Sequence, residues 1–134
     1  IYMENRKKIY VLLAGSVAWA VIIFVFCAMP SDSIPRVRIP GMDKIFHFGV
    51  FFVQSVLLSL MFNFQAGNRY FRIILLSTLL AFAYGGLIEI LQSKFFNRTG
   101  DLYDLMADIA GGFAGAMAYP AILKLYGLIF RKNR

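Results

Sequence analysis

Asp43 and His47 stand four residues apart, Glu89 and Gln92 three apart, and Asp104 and Asp108 four apart, each pair in an otherwise apolar stretch. On a helix those spacings put both members of a pair on one face. Carboxylates and an imidazole exchange protons as general acids and bases. Lys44 and Arg98 add charged donors, and an arginine offers a two-pronged fork for phosphate or carboxylate. His47 with Glu89, Asp104 and Asp108 also makes a mixed nitrogen and oxygen donor set for zinc or a harder cation, although no HExxH is present. Ser93 and Thr99 are nearby hydroxyls without a GxSxG or SxxK context, so no nucleophile stands out. Cys27 is the single cysteine and lies in an apolar run, which excludes an internal disulfide framework and a CxxC metal clip.

The elements that hold these residues follow from composition. Of 134 residues, 60% are hydrophobic and 16% charged, against roughly 45–50% and about 25% in soluble domains. So much apolar surface excludes a disordered chain, and a chain this small cannot hide it all inside itself. A bilayer is the natural solvent. Four apolar runs, 9–29, 44–64, 73–92 and 102–123, are each long enough to cross about 30 Å of hydrocarbon. The first follows Arg6, Lys7 and Lys8 but exceeds a signal-peptide core, so it reads as a retained helix, with Met3 as the natural start. Pro30, Pro35, Pro40 and Gly41 separate the first two runs, and Pro120 predicts a kink in the last. The expectation is one all-α domain over residues 1–134, a four-helix transmembrane bundle in a bacterial cytoplasmic membrane. The net charge of +7 sits between the runs and at both ends, which fits membrane topology better than nucleic-acid binding. Eight Lys and Arg flank the N-terminal side of the bundle and five the other, so the positive-inside rule predicts that both termini are cytoplasmic.

With that topology, Asp43, Lys44, His47, Glu89, Gln92, Arg98, Asp101, Asp104 and Asp108 all fall at the outer end of the bundle. A charge at the centre of a spanning helix costs about 2.5–3.5 kcal/mol, less near the interface. Glu89 and Asp108 are therefore expected to face inward, near His47, Lys44 or Arg98. We read His47, Glu89 and Asp104 as candidate acid/base or head-group ligands, and Asp43, Lys44, Gln92, Arg98, Asp101 and Asp108 as candidate substrate contacts. Each has a plainer reading. Asp101 or Asp104 caps the fourth helix, His47 is a satisfied interfacial histidine, and Glu89 forms a structural pair with Arg98. Gly111 and Gly115 form a GxxxG pattern suited to close helix packing or to a second copy of the chain. None of these plainer readings explains why the polar groups collect at one depth.

The segments DKIFHF (43–48), GLIEILQ (86–92) and NRTGDLYDLMADIAGG (97–112) together resemble the VanZ-like family of small bacterial membrane proteins. The resemblance covers about half the chain, and members usually carry Asn where this chain has Asp108. It implies an envelope protein, and the family's name comes from a protein associated with teicoplanin resistance. The leading expectation is an outer-leaflet pocket that handles a lipid-linked or lipidated molecule. A metal-dependent membrane hydrolase, a small proton- or ion-coupled transporter and a structural membrane partner are the alternatives. The few polar residues in the inner halves, Gln54, Ser55, Ser77 and Thr78, give a transport path little support.

Overall fold

A computed structural model of the chain describes residues 2–29, 39–66, 69–96 and 101–131. They form four helices, α1 (Tyr2–Ala28), α2 (Met42–Ala66), α3 (Tyr70–Phe95) and α4 (Leu102–Arg131), each long and apolar enough to cross a membrane. At 1.5 Å per residue, even the 25 residues of α2 reach about 37 Å, which exceeds the hydrocarbon thickness. All four outrun the apolar runs that predict them. Charged residues can continue a helix past the hydrocarbon, because long side chains carry their charges to water. In α1 the Lys8 ammonium meets Glu4 at 2.9 Å one turn away. Gly41, at φ +79°, takes the left-handed conformation just before α2, and its carbonyl accepts from the Ile45 N–H at 3.1 Å. Pro120 lies inside α4 and does not end it, as neighbouring helices permit for a proline within a membrane.

Helix α2 is the hub, packing most extensively on α4 and also against α1 and α3. Small residues set the closest approach. A side chain at Gly111 would collide with the Phe48 carbonyl, and one at Gly115 with the Phe52 carbonyl, so successive turns of α4 ride on successive turns of α2. The face expected for a second copy is thus taken up by α2 of the same chain. Gly112 makes the matching contact with Ala81 of α3.

Buried and half-buried polar groups tie the helices together. Gln54 donates to the Ser16 hydroxyl at 2.6 Å, Ser59 to Ser77 at 2.8 Å, the Trp19 indole to the Val50 carbonyl at 2.9 Å, and the Tyr84 hydroxyl to the Ala20 carbonyl at 2.6 Å. Ile23, Cys27, Phe51, Ala81 and Ile88 form the apolar core at their centre. Phe46, Phe48, Phe71 and Phe82 are exposed on the outside, where lipid would meet them, while Phe51 is fully buried.

Candidate functional site

The site forms where the start of α2, the end of α3 and the start of α4 meet. His47 sits one turn into α2, and its Nδ1 lies 2.8 Å from Asp108 Oδ1 of α4. Asp108 is fully buried and His47 is 3% exposed. Asp108 fits because α3 has Gly85 opposite it, where an added Cβ would stand 2.7 Å from Asp108 Oδ2. Gly85 and Glu89 share a face of α3, so one stripe of that helix both makes room for Asp108 and supplies the next carboxylate. Glu89 is 9% exposed and accepts the Asp101 backbone N–H on Oε2 at 2.9 Å. Asp104, 8% exposed, turns Oδ2 toward His47 Nε2 at 3.8 Å. Three helices thus bring His47, Glu89, Asp104 and Asp108 together. Glu89 Oε1 and Asp108 Oδ2 are buried with no hydrogen-bond partner among the described residues.

Above this group lies a more exposed layer. The Lys44 ammonium meets Asp43 at 3.1 Å, Asp101 at 3.2 Å and Asp104 at 3.1 Å. An ammonium has three N–H donors, and all three are matched here, so Lys44 ties three carboxylates of the chain together. Asp101 is the cap that the sequence suggested for the fourth helix, accepting the Tyr103 N–H on Oδ1 at 2.8 Å. That N–H, together with the Lys44 ammonium, holds the Asp101 carboxyl below the usual carboxylate range. Gln92, expected in the cluster, donates to the Cys27 carbonyl at 3.1 Å and ties α3 to α1. Arg98 lies outside the described residues.

Sequence spacing picked out the buried residues but not their pairing. The Gly85 recess for Asp108 was missed, although its signal, a glycine four residues before Glu89 on the same face, was present. Also unforeseen is an apolar cavity of about 420 Å³ at the opposite end of the bundle, between α1, α2 and α4, lined by Val11, Leu12, Leu60, Phe64 and Leu123 with Lys7 and Lys8 at its edge.

Among known proteins, neither the curated sequences nor the solved structures gave a match. The family model described as VanZ/LLP1 matches residues 7–124. That span takes in α2 and α3 entire, most of α1 and α4, and every residue of the buried cluster. The chain is therefore a VanZ-like, multi-pass membrane protein and belongs to the VanZ/LLP1 family.

Proposed function

We propose that this protein binds the polar head of a membrane-embedded amphiphile, a lipid-linked or lipidated molecule of the bacterial cell envelope, at the outer end of its bundle. The supporting observation is the buried cluster of His47, Glu89, Asp104 and Asp108, with one carboxylate oxygen each of Glu89 and Asp108 buried and without a hydrogen-bond partner among the described residues. A buried polar atom without a partner costs about 1–3 kcal/mol, which a ligand's donors would recover. Beside the cluster, Ile45, Phe46, Leu102 and Met106 are exposed apolar side chains along which a lipid tail can lie. Lys44 is fully engaged by carboxylates, so the matching head is rich in hydroxyl, amide or amine donors. His47, Glu89 and Asp104 are the proposed ligands, with Asp108 holding His47.

The test is capture of a diazirine-bearing polyprenyl-linked amino sugar by the protein in lipid nanodiscs. Glu89→Gln should lower labelling at least about tenfold, or ~1.4 kcal/mol, at unchanged thermal stability. His47→Ala should lower labelling as far and also cost stability, because it strands the buried Asp108 carboxylate. If Glu89 is only half of a structural pair with Arg98, Glu89→Gln will harm folding, and the double variant with Arg98→Gln will recover both folding and labelling. In cells, the family resemblance makes teicoplanin susceptibility the phenotype to compare across His47→Ala, Glu89→Gln and Asp104→Asn. Function that merely follows stability across these variants rejects the reading.

A further inference from the structure

We propose that His47, Glu89 and Asp104 hold one divalent transition-metal cation of the zinc class, with Asp108 orienting His47 from behind. One donor atom from each of the three residues lies within 4.8 Å of the other two, and all three residues are buried. Each donor also has a second bond that fixes its direction. Nδ1 of His47 is engaged by Asp108 at 2.8 Å, so Nε2 is the nitrogen left for a ligand. A metal-bound histidine almost always gives its other ring N–H to a carboxylate or carbonyl in this way. Asp104 Oδ1 is held by Lys44 at 3.1 Å, which leaves Oδ2 on the His47 side. Glu89 Oε2 is held by the Asp101 N–H, which leaves Oε1, the oxygen that is buried and without a partner.

The spacing agrees. Asp104 Oδ2 and His47 Nε2 stand 3.8 Å apart, too far for a hydrogen bond. Two ligands about 2.0–2.1 Å from a tetrahedral ion stand about 3.3–3.4 Å apart, so a small inward movement brings this pair to ligand spacing, and Glu89 starts no more than 4.8 Å from either. Charge points the same way. Glu89, Asp104 and Asp108 are three buried carboxylates, and among the described residues the only cationic groups bonded to them are Lys44, itself shared with Asp43 and Asp101, and the His47 ring. An ion of charge +2 offsets that excess, and its open fourth position would take a hydroxyl oxygen of the same donor-rich head. The inference rests on the reading that this cluster is a ligand site, and it deepens that reading by naming the ion.

The experiment uses the full chain in detergent, purified without a polyhistidine tag, incubated with Zn²⁺, dialysed and assayed for metal. About one ion per chain is expected, with a higher thermal midpoint in Zn²⁺. His47→Ala, Glu89→Gln and Asp104→Asn should lose the ion, while Glu4→Gln at the other end of the bundle keeps it. Asp108→Asn should weaken binding by about 10–100-fold, the usual effect of altering an orienting partner. Should the variants fail to fold, the wild-type chain decides alone. The sequence contains one histidine, so imidazole couplings in pulsed EPR of the Cu²⁺-loaded protein can come only from His47. Far less than one ion per chain, or Cu²⁺ without those couplings, overturns the proposal. An ion bound without lipid capture removes the amphiphile reading alone, and lipid capture by a chain that takes up far less than one ion removes this one alone.

Discussion

Asp108 shows what a single buried side chain must satisfy. Its Oδ1 meets His47 Nδ1 at 2.8 Å inside a packed interface, so truncation strands an imidazole N–H rather than exposing it to water. Asp108→Ala should therefore destabilise the protein by about 1–3 kcal/mol, the cost of an unsatisfied buried donor. Asp108→Asn keeps an oxygen acceptor at that position and should lose much less, as thermal denaturation of both variants in detergent would register. Asp101, outside the spans, behaves differently because the Tyr103 N–H and then Lys44 hold its carboxyl low. Its unfolded value is near 3.9, so its contribution to stability is complete above that pH and is lost as pH falls through the lower folded value. The thermal midpoint of the wild type should thus drop more steeply below about pH 4 than that of Asp101→Asn. At neutral pH, Asp101→Ala should be the less stable of the two variants, since an amide oxygen can still accept the Tyr103 N–H.

At the scale of elements, the α2–α4 contact sets the register of the site. Phe48 follows His47 directly on α2 and Phe52 comes one turn later, and Gly111 and Gly115 follow Asp108 on α4, so the glycine contacts and the His47–Asp108 bond belong to one interface. Gly111→Val and Gly115→Val place carbon atoms on backbone carbonyls, which cannot move aside as a side-chain tip can. Each should cost at least about 1–3 kcal/mol and should also impair ligand binding at His47. Gly85→Ala sets a methyl 2.7 Å from Asp108 Oδ2 and 3.0 Å from its Cβ, so it should displace Asp108 from His47 and cost about 1–3 kcal/mol, as Asp108→Ala does, while also lowering Zn²⁺ content. The Gln54–Ser16 bond lies away from the cluster, and Ser16→Ala should cost only about 0.6 kcal/mol, the average for hydrogen bonds between membrane helices.

For the whole molecule, the side of the membrane on which the cluster opens decides which molecules can reach it. The basic residues predict both termini in the cytoplasm and the cluster outside. With Cys27 replaced by serine, a cysteine at Lys94 should react with an impermeant maleimide in whole cells, and one at Gln65 only after permeabilisation. Both positions are exposed, near opposite ends of the bundle. The reverse pattern would move the site to the cytoplasmic face and exclude an outer-leaflet substrate.

Sequence alone determined the four spans, because length and apolarity are local properties that a bilayer reads one helix at a time. It also determined which polar residues share a helix face, since helix rise and period fix the relative positions of Asp43 and His47, of Glu89 and Gln92, and of Asp104 and Asp108. Partnership between helices was decided only by the tertiary structure. Rotation and register of α2 against α4 depend on where glycines let two backbones touch. The GxxxG of α4 marks a packing face but does not say which helix, or which of its turns, rests on it. Hence Gln92, on the same face as Glu89, reaches back to Cys27 of α1, Lys44 is enclosed by three carboxylates, and His47 is bonded by Asp108 and faced by Asp104.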